Sequence, residues 1–177
     1  MDTFVEQIIV RKKTGKDFAI LAGILLGGCL LAAGSMIAFM MTGLSIIPMV
    51  AIVGICWGGY MLLGMRNIEY EYSFTNGDIT VDKIIAKRKR KRVVSFDAKN
   101  VELIGEVGEN TVKAGSEVKT VYRTGVLASG QGGWYIVYSR DGGSSKSMLL
   151  FSPNEKFIQA LKPFLPARVR LDAFGRN

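Results

Sequence analysis

The sequence predicts a two-helix transmembrane hairpin followed by a mainly-β domain, a small antiparallel barrel or sandwich closed by a C-terminal α-helix. Three observations carry this reading. No Asp, Glu, Lys or Arg occurs from Phe18 to Met65. From Ile68 the apolar residues recur at every second position, the period of a half-buried strand. Near the end, Phe157, Ile158, Leu161, Phe164 and Leu165 return to helical spacing.

The uncharged stretch is long enough for two crossings, since a helix needs about 20 apolar residues to span a hydrocarbon core of about 30 Å. It breaks at Thr42-Gly43-Leu44-Ser45. Gly43 permits a tight turn and Ser45 suits an N-cap. Pro48 falls in the first turn of the next helix, where its missing N–H costs little. The predicted spans are therefore 18–41 and 46–65. Arg11, Lys12, Lys13 and Lys16 precede the first span; Arg66 and the run Lys87–Arg92 follow the second. The connecting turn carries no charge. The positive-inside tendency then places both termini on the cytoplasmic face of the cell inner membrane, in a multi-pass protein. A cleaved signal peptide also starts basic, but this apolar stretch is too long and a second span follows at once.

Gly23-Ile-Leu-Leu-Gly27 and Gly54-Ile-Cys-Trp-Gly58 each set two glycines one turn apart on a helix face, as do Gly34 and Ala38. Small residues let helix backbones approach closely in lipid. Two readings stand: the spans pack on each other at Gly23, Gly27, Gly54 and Gly58, or copies of the chain pack there. Cys29 and Cys56, the only cysteines, lie in the same apolar stretch and read as small hydrophobes. The absence of ionisable residues from both spans argues against a proton path or an ion site.

Residues 1–17 read as a short amphipathic segment. Thr3-Phe4-Val5-Glu6 fits a capping box, and Phe4, Val5, Ile8 and Ile9 form a stripe at helical spacing. Such a helix lies in the membrane interface, or packs on the domain or a partner.

The domain is predicted over 67–166, with a loosely ordered basic tail at 167–177. Ile68, Tyr70, Tyr72 and Phe74 alternate with Glu69, Glu71, Ser73 and Thr75 in a first strand. Asn76-Gly77 signals a hairpin, and a second strand follows at about 78–86. An outgoing first strand rises about 26 Å at about 3.3 Å per residue, and the second returns as far. That geometry brings Lys87, Arg88, Lys89, Arg90, Lys91 and Arg92 back toward the headgroups. The run has three readings: a solvated hairpin end that also sets topology, an anionic-lipid site, or a site for an acidic protein or nucleic acid. No aromatic residue is interleaved to stack on bases, which argues against nucleic acid.

Further strands are predicted at 93–96, 101–104, 118–122, 134–138 and 147–151, with loops at 105–117 and 124–133 and a turn at Asp141-Gly142-Gly143. Ser152 is the predicted cap of the final helix, with Pro153 at its first position and Glu155 closing a capping box. The order of two spans, the pair Tyr-Glu-Tyr-Ser-Phe-Thr-Asn-Gly-Asp-Ile at 70–79, a basic turn, and Leu-Phe-Ser-Pro-Asn-Glu-Lys-Phe-Ile-Gln-Ala-Leu at 150–161 resembles bacterial membrane-anchored pleckstrin-homology-like proteins. It is similar in particular to a family of small Gram-positive membrane proteins. The resemblance implies a seven-stranded barrel with a C-terminal helix, a scaffold often used to bind lipid or protein. Residues 105–133 are longer and richer in glycine than the simplest such domain needs.

Residues 66–177 hold 19 basic against 12 acidic residues, which favours anionic partners. The chain has no histidine, no phosphate-cradling Gly-Lys-Ser/Thr loop and no zinc-type cysteine spacing. Asp78 and Asp82 share a strand face but read as solvated surface acids. The expectation is a non-enzymatic binding or scaffold module at the inner leaflet, without metal or cofactor, contacting anionic phospholipid headgroups or a protein partner. The alternative is a structural subunit of a larger membrane complex, or homo-oligomer, assembled through the glycine-lined helices.

Overall fold

The computed structural model describes residues 3–11, 13–44, 46–108, 111, 118–125, 133–139 and 145–175. The chain divides into two compact units, one of Met1–Lys12 with Ile68–Asn177 and one of Lys13–Asn67. The second unit is thus inserted into the sequence of the first.

The inserted unit is a pair of helices, α1 (Gly15–Thr42) and α2 (Ile46–Met65), each long and apolar enough to cross a membrane. Thr14 and Asp17 form a capping box that starts α1 earlier than hydropathy alone implies. Gly43 ends it in the left-handed conformation (φ 71°), with its N–H donated to the Phe39 carbonyl at 2.7 Å. The predicted Ser45 cap lies outside the described residues. Asp17 also pairs with Arg66 beyond the end of α2, and so ties the open ends of the two helices together. The Asp17 side chain is only 6% exposed. Replacing it by Ala removes a cap and an ion pair, and should cost the hairpin about 2 kcal/mol in detergent micelles, read from its denaturation midpoint.

The other unit holds two four-stranded sheets. The first, in the order β1-β2-β3-β4, is antiparallel: β1 (Phe4–Val10), β2 (Ile68–Thr75), β3 (Asp78–Ile85) and β4 (Lys89–Asp97). The second runs β5-β7-β8-β6: β5 (Val101–Glu106), β6 (Thr120–Arg123), β7 (Trp134–Ser139) and β8 (Lys146–Phe151), with β6 parallel to β8. One core joins them, built on Tyr72, Phe74, Ile79, Val81, Ile136, Leu149 and Phe151. Among the described residues no strand pairing links one sheet to the other, so the predicted closed barrel is corrected to two sheets over one core. The Asp141-Gly142-Gly143 turn and most of the predicted 105–117 and 124–133 loops lie outside the described residues.

The N-terminal helix is a second correction. Residues 4–10 form β1, paired in full with β2 from Phe4↔Thr75 to Val10↔Glu69. The apolar residues there satisfy two periods at once. Val5 and Ile9 fit a strand face, and their β-branched chains suit a pleated surface. The Thr3 N–H does not enter a capping box but donates to Asn76 Oδ1 at 2.9 Å, and the Asn76 N–H returns to the Thr3 carbonyl at 3.0 Å.

The C-terminus differs in two details. Helix α3 (Glu155–Leu161) is capped by Asn154, whose side chain accepts from the Phe157 N–H at 2.8 Å, rather than by Ser152. The Ser152 hydroxyl is engaged elsewhere, donating to the Gly125 carbonyl at 3.4 Å. The tail predicted to be loose forms helix α4 (Ala167–Phe174). Val169 is buried, and the Phe174 ring stacks on Trp134 at 5.8 Å, which supplies the apolar contact an isolated eight-residue helix lacks.

Candidate functional site

Both hairpin turns of the first sheet use the left-handed region at two successive residues. Asn76 (φ 48°) and Gly77 (φ 107°) join β2 to β3, and suit that geometry. Ala86 (φ 54°) and Lys87 (φ 55°) join β3 to β4, closed by the Arg88 N–H on the Ile85 carbonyl at 3.1 Å. An ordinary L-residue pays roughly 1 kcal/mol or more there. The Ala-Lys turn is therefore strained where Asn-Gly is not. Lys87→Gly should raise the stability of the domain by about 1 kcal/mol in thermal melts, because glycine meets no Cβ penalty.

The basic turn lies at a definite end of the sheet. Ile85 faces both Ile68 and Lys89, and Val10 faces Glu69. The turn therefore shares its end of the sheet with Val10 and Ile68, where the chain leaves for and returns from the helical hairpin. In this register β2 and β3 run antiparallel over their full lengths.

Four of the six cations belong to β4, which starts at Lys89 rather than Val93. Charged residues suit this edge position, where they discourage further strand pairing. A bulge at Val93 lets Val81 face Val94 and Asp82 face Arg92. Arg90 and Arg92 then share a face with the acids. Arg92 Nε donates to Asp82 Oδ1 at 3.3 Å. Arg90 Nη2 lies 2.8 Å from Glu71 Oε2 but off the hydrogen-bonding direction, so that pair is a Coulomb contact. Glu71 and Asp82 are buried and directly opposite one another. Burial pushes the Glu71 carboxyl pKa up; Arg90 opposes this, while Glu6 and Asp82 add to it.

Lys89 and Lys91 take the other parity. Lys91 is opposite Lys83, which is opposite Tyr70. Among the described residues none of Lys83, Lys87, Arg88, Lys89 and Lys91 takes an ion pair. Sequence reasoning missed Lys83, Glu71 and the pairing of Asp82. A cation at the inward parity of Ile79 and Val81 was the available signal for Lys83. Asp78 is exposed, as a solvated acid should be; Asp82 is not.

In the helical unit, a methyl group added at Gly23, Gly27, Gly54 or Gly58 would meet nothing within 4 Å. The close approach of α1 and α2 is at Gly28, where a Cβ would stand 3.2 Å from Ile55 Cγ2. The four predicted packing glycines instead line an open apolar groove of about 1160 Å³.

The pattern of strands, basic turn and closing helices agrees with a family match: the model described as Bacterial PH-like domain (DUF6106) matches residues 1–171. The chain belongs to this bacterial PH-like family. Comparison with curated proteins and with solved structures returns no match. The match includes the N-terminal strand and the helical hairpin, so in this PH-like chain the hairpin is part of the family's own extent. Among the described residues of this PH-like protein, no group of three or more His, Cys, Asp or Glu is placed to hold a metal ion.

Proposed function

We propose that this PH-like protein is a non-enzymatic binding module anchored by two membrane-crossing helices, with both termini cytoplasmic and the basic turn contacting anionic lipid at the inner leaflet. The observation that carries the reading is the Ala86-Lys87 turn. A strained left-handed position holds a lysine, at the sheet end where both links to the helical hairpin attach. The sister turn of the same sheet uses unstrained Asn-Gly. Charge at this tip therefore outweighs local stability. The links between the two units are short, residues 11–14 on one side and 66–67 on the other. Near an anionic leaflet each cation contributes roughly 1 kcal/mol, before screening and self-repulsion reduce the sum. The chain is already anchored, so this energy orients the domain and gathers acidic lipid.

The test is amide exchange of residues 86–92 in the full chain, in nanodiscs of phosphatidylcholine alone or mixed with phosphatidylglycerol. Slower exchange with the anionic lipid, reversed by high salt, is the expected result. Identical exchange in both removes lipid contact from the reading.

A second reading is favoured by the open glycines. In it the helices carry a subunit interface as well as an anchor, since Gly23, Gly27, Gly54 and Gly58 line a groove and a Cβ at any of them would meet nothing within 4 Å. Gly23→Leu with Gly54→Leu should then dissolve a complex captured by crosslinking in membranes. A chain that is monomeric before and after the change sinks this reading.

A further inference from the structure

We propose that the basic run divides by strand parity into two sets with different tasks. Lys87, Arg88, Lys89 and Lys91, joined by Lys83, bind the phosphates of anionic lipid headgroups; Arg90 and Arg92 are the fixed counter-ions of Glu71 and Asp82. The first half rests on the lipid reading above.

The geometry separates the sets. Arg90 and Arg92 lie on the sheet face that carries Glu71 and Asp82, with Glu6 of β1 also acting on Glu71. Glu71 and Asp82 are adjacent across β2 and β3, and like charges in that relation repel. Both are buried, at 6% and 8% exposure, so solvent screens them poorly. Two arginines at 2.8 Å and 3.3 Å offset this repulsion. Without them the sheet would hold uncompensated buried carboxylates.

The opposite parity has the reverse problem. Lys83 and Lys91 are directly opposed like charges with no acid among the described residues paired to either, and the turn beside them adds three cations. A phosphate bridging these ammonium groups relieves the repulsion that the protein leaves in place. Tyr70 continues the same row; burial pushes its hydroxyl pKa up, and Arg11 lies near enough to oppose part of that push. This sheet end is thus cationic on one face and internally neutralised on the other. Changing all six residues of the run together would confuse lost lipid contact with a damaged sheet.

The experiment uses the full chain in nanodiscs with two readouts, exchange of residues 86–92 and the thermal midpoint of the domain. Replacing Lys83, Lys87, Arg88, Lys89 and Lys91 by Gln should abolish the phosphatidylglycerol-dependent protection, a fall of about tenfold or more, with the midpoint unchanged or raised. Replacing Arg90 and Arg92 by Gln should keep most of the protection but lower the midpoint. Adding Glu71→Gln and Asp82→Asn to that variant should restore the midpoint. The proposal is overturned if the arginine variant loses protection at an unchanged midpoint, or if the acid replacements fail to rescue it. A wild type indifferent to phosphatidylglycerol overturns the lipid reading and the five-cation half with it. The rescue, measured in phosphatidylcholine alone, still decides the arginine half.

Discussion

Removing residues 12–67 and joining Arg11 to Ile68 through Asn-Gly is expected to give a water-soluble chain that folds cooperatively. Residues 67–177 alone are expected not to. Val10 faces Glu69, and the Arg11 N–H already donates to the Ile68 carbonyl at 2.9 Å. A two-residue turn of the left-handed type therefore closes this hairpin without moving either strand. The chain beginning at residue 67 lacks β1. It loses buried Val5 and the packing of Ile9, about 3–5 kcal/mol of apolar burial. It also loses both hydrogen bonds of Gln7 to the segment before α3, from Nε2 to the Ser152 carbonyl at 3.2 Å and from the Asn154 N–H to Oε1 at 2.8 Å. The bared edge of β2 then invites pairing between molecules. Set against a typical total stability of about 5–15 kcal/mol, these losses are large. Circular dichroism melts and sedimentation compare the two chains directly. A soluble, cooperatively melting 67–177 would show that β1 is an accessory rather than a member of the domain.

Gly125→Ala is expected to be among the most damaging single changes in the domain. Gly125 has φ 67°, and a Cβ there would stand 2.5 Å from Tyr72 Oη. Tyr72 is fully buried and held on all sides. Its hydroxyl donates to the Thr124 carbonyl at 2.7 Å and accepts from the Ser152 N–H at 3.4 Å. Its ring meets Phe151 and Phe157 edge-on, at 5.6 and 6.3 Å. Left-handed strain and overpacking together should cost about 3–4 kcal/mol. Tyr72→Phe should cost about 1–3 kcal/mol, because it leaves the Thr124 carbonyl without its partner. The two changes should not add. Phenylalanine lacks the oxygen that the new methyl strikes, so the double variant should be less destabilised than the sum. Strict additivity in denaturant melts would show that the clash at Tyr72 is not the cause.

The hairpin helices were legible because their signal is local. Forty-eight uncharged residues and a glycine break imply two long apolar helices in any context. Asn76-Gly77 and the alternation of 68–74 were equally readable, since turn chemistry and the strand period are properties of neighbours in the chain. All seven predicted strands appear with their ends moved by up to a few residues, and the final helix forms over Glu155–Leu161, its predicted face at Phe164 and Leu165 falling in and after a following 3-10 turn.

Tertiary structure decided what depends on distant partners. Phe4–Val10 satisfies helical and strand periods together, and only the free edge of β2, far along the chain, selects the strand. The C-terminal tail becomes helical because Val169 and Phe174 find the core. The basic run reads as six equal charges in one dimension. A bulge at Val93 and the register with β3 send Arg90 and Arg92 to the acids and leave Lys91 opposite Lys83. Which glycines stand against the other helix is likewise not a local property: a Cβ at Gly28 would stand 3.2 Å from Ile55 Cγ2, whereas Gly23, Gly27, Gly54 and Gly58 line an open groove. By itself the sequence determined the helices, strands and turns whose signal is local, because hydropathy and backbone preference act over a few residues; the state of Phe4–Val10 and Ala167–Phe174 waited on distant partners. Which faces those segments present was settled only by long-range register, and the candidate site is a property of faces.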